Sequence, residues 1–154
     1  MTSIESVMTR DPVTCYVNTP LPEVAALMLS HDCGQIPVVD AQGKPLGVVT
    51  DRDIVVRVVA NGANPAASTA ADAMTSPART VSLDTDLDEC LHTMEQAQIR
   101  RVPVVDERGR LVGIVATADV ALSGKRKAIA EVMEEVSAPA PKQPGSGGAA
   151  MHHH

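Results

Sequence analysis

The chain has 154 residues and a formal net charge of −6, with 44% hydrophobic and 21% charged residues. That length fits one domain or two small halves sharing a core, and the acidic balance excludes the broad phosphate-binding surface of a nucleic-acid binder. One Tyr and no Phe or Trp leave no aromatic platform for stacked bases, so the core must be filled by Val, Ile, Leu, Met and Ala.

Residues 1–6 hold neither a basic segment nor an apolar stretch of signal-peptide type. No apolar run reaches the roughly 18 residues of a membrane span. A cytoplasmic protein is expected, with neither nucleic acid nor membrane as partner. Cys15, Cys33 and Cys90 are an odd number and fit reduced thiols better than a disulfide framework.

A short strand is expected at about 13–17, ahead of an amphipathic helix in which Leu21, Val24, Ala25 and Met28 fall at i, i+3, i+4 and i+7. Thr19 is placed to cap that helix, with Pro20 in its opening turn. Residues 36–39 and 46–50 read as a hairpin around Asp40-Ala-Gln-Gly43-Lys44, where the glycine supplies a positive φ. A helix over about 51–60 ends at Asn61-Gly62, and Ser68 or Thr69 caps a turn leading into Met74-Thr75.

The same order then returns. A strand is expected at 79–83, and a helix carrying Leu87, Cys90, Leu91 and Met94 follows, with Thr85 as its cap and Asp86, Asp88 and Glu89 at its positive end. Residues 102–105 and 111–115 form the second hairpin, around Asp106 and Gly109, and a last helix covers about 118–135. Cys90 lies on the apolar stripe and reads as core, while His31 and His92 read as surface or boundary residues. Lys125, Arg126 and Lys127 read as a solvated face. Residues 137–154, rich in Pro, Gly and Ala, read as a flexible tail whose His152, His153 and His154 look like part of an expression tag.

One register relates the two halves without a gap, because Asp40 and Asp106 are 66 positions apart and the same offset pairs Met8-Thr9 with Met74-Thr75 and Gly47 with Gly113. Such a repeat fixes the architecture. Each copy is too small to offset its chain entropy alone, so the two should pack as one module. The fold class is α/β in the α+β sense, with two β-α-β-β-α repeats forming one pseudo-symmetric module. The division is 5–60 for the first repeat, 61–70 for the linker, 71–136 for the second repeat and 137–154 for the tail.

The paired Met-Thr starts, the apolar-Pro-Val-Val-Asp strands and the Gly47-Val-Val-Thr-Asp-Arg-Asp53 turn resemble the cystathionine β-synthase (CBS) domain, here as a tandem pair or Bateman module. The resemblance covers roughly residues 5 to 135. It implies a cleft between the repeats that takes an adenosyl compound, with AMP, ADP or ATP as the expected ligand, no required cofactor, a homodimer, and a separate effector protein as partner. It also implies backbone contacts to adenine near Ile36, Pro37 and Val102, and phosphate contacts from Arg100 and Arg101.

Two readings of Thr50 and Asp53 follow from the residues themselves. A carboxylate can accept from both hydroxyls of a ribose, with a threonine hydroxyl adding a third bond and the helix start attracting phosphate. The same Thr-x-x-Asp spacing is also that of a capping box. The second repeat keeps Asp119 but has Ala116 where the first has Thr50, and Gly34-Gln35 stand where the second has Arg100-Arg101, so the half-sites are unequal. Arginine suits phosphate through bidentate bonds, although a solvated edge paired with Asp106 or Glu107 would use the same residues.

No Ser-His-Asp arrangement, Cys-x-x-Cys, His-Glu-x-x-His or Walker-type loop occurs, so no enzymatic activity is expected. Three functions remain: a regulatory module sensing adenine nucleotides, a ligand-free homodimeric scaffold, and a thiol- or metal-dependent stress protein using Cys15 and Cys33.

Overall fold

Each half of the chain builds its helix and hairpin where the hydrophobic periodicity places them. The computed structural model describes residues 3–122. The tail at 137–154, Lys125 to Lys127 and most of the last helix lie outside the described residues. Met1–Thr117 form one unit, and of the second, Ala118–His154, residues 118–122 are described and are helical.

Helix α1 (Leu21–His31) buries Leu21, Val24 and Met28, and α4 (Leu87–Ala97) buries Cys90 and Met94. Both end on a left-handed residue, Asp32 at φ 51 and Gln98 at φ 55, which turns the chain toward its hairpin. Thr19 and Thr85 do not cap them, contrary to expectation. The N-cap positions are Pro20 and Asp86. Each threonine sits one residue too early and closes the preceding turn, accepting from the N–H of Tyr16 at 2.9 Å or of Ser82 at 3.0 Å. In the first repeat the linker replaces the cap, because Leu21 N–H donates to the Ser68 carbonyl at 2.8 Å.

Those turns also explain why the pre-helix strands are shorter than expected. The second, β4, is only Val81–Ser82, parallel to β5 (Arg101–Val105). In the first repeat Cys15 alone bridges Val38, exchanging bonds of 3.0 and 2.9 Å with Pro37 and Val39.

The hairpins are β2 (Gln35–Val39) with β3 (Pro45–Thr50), and β5 with β6 (Leu111–Ala116). Gly43 and Gly109 hold φ of 85 and 80 in the turns. Asp40 Oδ1 accepts from the N–H of Gln42 and Lys44, and Asp106 Oδ1 from those of Arg108 and Arg110, each at 2.9 Å. The Arg110 N–H bond is the main reason that the Asp106 carboxyl lies below the usual carboxylate range, reinforced by the Arg108 N–H and the Arg110 guanidinium.

The segments leading into the two repeats are exchanged. Strand β1 (Thr9–Arg10) belongs to the first repeat but pairs with β6 of the second, with Thr9 opposite Ile114 and Arg10 opposite Gly113. The matching Thr75 bridges Val48 of β3 through bonds of 3.0 and 2.8 Å. The sheets are therefore a four-stranded one, β1-β6-β5-β4, and the hairpin β2-β3. Gly47 and Gly113 make the crossings possible. A Cβ at Gly47 would come within 2.5 Å of the Thr75 carbonyl oxygen, and one at Gly113 within 2.5 Å of Met8 Sδ.

After β3 the chain enters α2 (Asp51–Asp53) and continues as a π-helical stretch over Ile54–Val59, with Ala60 N–H donating to the Val55 carbonyl at 2.8 Å. Val58 is buried there, whereas Val55, Val56 and Val59 are 57, 46 and 52% exposed. Thr69 caps α3 (Ala70–Ala73) in a box with Asp72. The first repeat's core joins Ile36, Val38 and Val49 of the hairpin to Val24, Val58 and Ala73 of the helices. No helix among the described residues is long and apolar enough to cross a membrane.

Candidate functional site

Thr50 ends β3 and caps the following helix. Its Oγ1 accepts from the Asp53 N–H at 3.0 Å, and Asp53 Oδ2 accepts from the Thr50 N–H at 2.9 Å. The reciprocal capping box is therefore formed. Asp53 has a second oxygen, and its surroundings give the site its character. Oδ1 accepts from Thr75 Oγ1 at 3.2 Å and lies 3.6 Å from Arg57 Nε, while Arg57 also reaches Thr75 Oγ1 at 3.4 Å. The Asp53 side chain keeps 15% exposure and that of Arg57 50%. A carboxylate, two hydroxyls and a guanidinium thus converge where the second repeat's leading segment crosses the first repeat's helix start.

Arg57 and Thr75 were not among the residues expected at the site. The i, i+4 spacing of Asp53 and Arg57 is a sequence signal that could have found the arginine. Nothing in the sequence pairs Asp53 with Thr75, 22 residues away, because that contact depends on the exchange of leaders.

The other expected residues distribute as follows. Ile36, Pro37 and Val102 are fully buried, and Pro103, the counterpart of Pro37, is buried. The Pro37 carbonyl already accepts from Cys15. Arg101 is half-buried and Arg100 exposed; among the described residues neither forms an ion pair, and Asp106 pairs with Arg110 at 3.5 Å instead. Arg101 stands directly opposite Ala116 in the ladder, as Gln35 stands opposite Thr50. Asp119 lies in the second unit, within helical residues 117–122, and is half-buried.

Gly34 holds the place in the first repeat that Arg100 holds in the second. A Cβ at Gly34 would meet Asp51 Oδ2 at 3.0 Å, and the Gly34 carbonyl accepts from the Asp51 N–H at 3.0 Å. Beside that glycine an open hollow of about 360 Å³ is lined by Met28, Leu29, Asp32, Cys33, Gly34 and Asp51.

Burial pushes the Cys15 thiol up to about 11, with Glu23 adding to the effect, and burial also raises that of Cys90. Both are core residues, and Cys33 packs against the cluster that contains Cys15. Among the described residues no group of three or more His, Cys, Asp or Glu is gathered to hold a metal ion.

The CBS domain family profile matches residues 4–60 and again 70–123. Hypoxic response protein 1 of Mycobacterium tuberculosis is 35% identical over 140 residues, which are 90% of this chain and 96% of that protein. The crystal structure of Hypoxic Response Protein I with two coordinated zinc ions superimposes with a TM-score of 0.72 at 35% identity, over 78% of this chain and 97% of that one. The CBS domain pair of protein MJ0100, solved with 5′-methylthioadenosine and S-adenosyl-L-methionine, gives a TM-score of 0.74 at 29% identity, over 82% of this chain and 98% of its own. The internal repeat, the hairpin-and-helix order and these matches agree: the chain belongs to the CBS domain family and carries two copies of the domain.

Proposed function

We propose that the chain is a non-enzymatic regulatory module that binds an adenosyl ligand at the Thr50–Asp53 cluster, with AMP, ADP or ATP as ligand. The convergence of Thr50, Asp53, Arg57 and Thr75 carries this reading. Asp53 Oδ1 offers an acceptor for ribose hydroxyls, and the half-exposed Arg57 guanidinium is a bidentate partner for phosphate. The adenosyl ligands of the MJ0100 pair support the same class. In the second repeat Arg100 and Arg101 take the phosphate-binding role beside Val102, the counterpart of Ile36 in the first.

The module divides at 5–60, 61–70 and 71–136, with 137–154 as tail. It works as a homodimer through the exposed Val55, Val56 and Val59, and acts on a separate effector protein. A ligand alters such a system only by binding one arrangement better than another.

Calorimetry and thermal shift against AMP, ADP, ATP, S-adenosylmethionine and NADH test the reading. Binding of at least one, with a stability gain at concentrations well above Kd, is expected. Absence of binding by all would overturn it in favour of a homodimeric scaffold. That second reading draws on one observation: both Asp53 oxygens already have partners within the chain. A thiol- or zinc-dependent role draws on the zinc ions of the hypoxic response protein structure alone.

A further inference from the structure

Gln35 opens β2 at 9% exposure, and its side-chain oxygen Oε1 is enclosed without a hydrogen-bond partner among the described residues. Buried polar atoms in native proteins are nearly always bonded, and an orphan acceptor costs as much as a lost hydrogen bond. An apolar side chain would fill the same space without that cost.

Strand register shows which way Gln35 faces. It lies directly opposite Thr50, so the two side chains share one face of the hairpin, while Ile36 and Val38 alternate onto the opposite face and into the core. Gln35 is therefore on the side of the Thr50–Asp53 box. The identical rung of the second repeat holds Arg101 opposite Ala116. One rung presents a neutral acceptor beside a hydroxyl, and the other a cation beside a methyl group.

We infer that this rung sorts ligands in the first repeat: Gln35 Oε1 accepts a hydrogen bond from an N–H or O–H donor of the molecule bound beside Thr50. The inference rests on the nucleotide reading above and adds a specificity determinant to it. Phosphate oxygens are predominantly acceptors at neutral pH, so the group against Gln35 is a purine amino group or a sugar hydroxyl.

Isothermal calorimetry on the full chain distinguishes these sources. AMP is compared with inosine monophosphate, in which a carbonyl replaces the amino group, and with 2′,3′-dideoxy-AMP, which lacks both sugar hydroxyls. The unaltered chain is expected to bind one analogue about tenfold more weakly than AMP, because the analogue leaves Oε1 orphaned. Gln35→Met, or Gln35→Leu if the first folds poorly, should bind AMP about tenfold more weakly and lose that discrimination, while melting no lower than the parent without ligand. Equal affinity of parent and variant for AMP, or equal affinity of the parent for all three nucleotides, would overturn the role of Gln35 and leave the nucleotide reading intact. Failure of the parent to bind any nucleotide would instead remove the nucleotide reading itself.

Discussion

Thr75 Oγ1 donates to Asp53 Oδ1 across 3.2 Å and so joins the leading segment of the second repeat to the helix start of the first. A ribose hydroxyl seeking the same oxygen must share or displace that donor. Thr75→Val keeps the shape and removes the competitor, so AMP should bind roughly fivefold more tightly, about the net worth of one hydrogen bond. Calorimetry reads the change. Unaltered affinity would show that the ligand does not use Oδ1.

Asp53→Ala should weaken stability as well as binding. The substitution strips the Thr50 N–H of its partner and undoes half of the capping box, at a cost of about 1 kcal/mol. Asp53→Asn keeps one acceptor oxygen for that N–H but turns a neutral donor, in place of a charged acceptor, toward Thr75 and Arg57. Urea melts of both variants should therefore place Asn between the parent and Ala, while AMP binding falls in both.

The two crossing glycines should differ in their tolerance of a methyl group. At Gly47 the obstacle is a backbone oxygen, Thr75 O at 2.5 Å; at Gly113 it is the unbranched side chain of Met8, with the Thr9 carbonyl at a less severe 3.0 Å. Side-chain ends move aside more cheaply than paired backbone. Gly47→Ala should cost about 2–3 kcal/mol in denaturant unfolding, within the range of overpacked cores, and Gly113→Ala clearly less.

Cys15 predicts an alkaline limit to stability. Its folded-state pKa is pushed up to about 11 from an ordinary 9.0, so the unfolded chain releases the thiol proton first as pH rises. The contribution is whole below pH 9 and declines from there to about pH 11, by on the order of 2 kcal/mol. Cys15→Ala should remove that slope from unfolding curves taken across the window, and Cys15 should resist thiol labelling at pH 8 in the folded protein.

The exposed face of the π-helical stretch supplies a fifth expectation. Val56→Asp should convert a dimer to a monomer in analytical ultracentrifugation, with little effect on the melting of the monomer, because Val56 is 46% exposed and outside the core. A dimer unchanged by this substitution would place the interface elsewhere.

Much of the architecture was legible because it is local. The i, i+3, i+4, i+7 stripe of Leu21, Val24 and Met28 needs no knowledge of distant residues, nor do the turns around Gly43 and Gly109. The caps were misread because Thr19 and Thr85 satisfy the composition of an N-cap while standing one position early, where a tight turn claims the hydroxyl. The π winding of Ile54–Val59 leaves no trace in a pattern that counts apolar residues. At the site, Thr50 and Asp53 were legible as a pair, and their capping geometry was one of the two readings their spacing allowed. Thr75 was not, since its approach depends on pairing between segments that belong to different copies of the repeat.

The exchanged leaders explain how one duplicated chain can keep a common frame while its two halves diverge. Thr9 and Thr75 each lie across a glycine of the opposite half, so a change at any of these four positions disturbs both halves at once. Rungs on the hairpin face opposite Ile36 and Val102, such as Gln35 with Thr50 and Arg101 with Ala116, answer to no such mutual constraint. The crossings act as a shared hinge pin: fixed in common, they leave each half free to vary the residues on its remaining hairpin face.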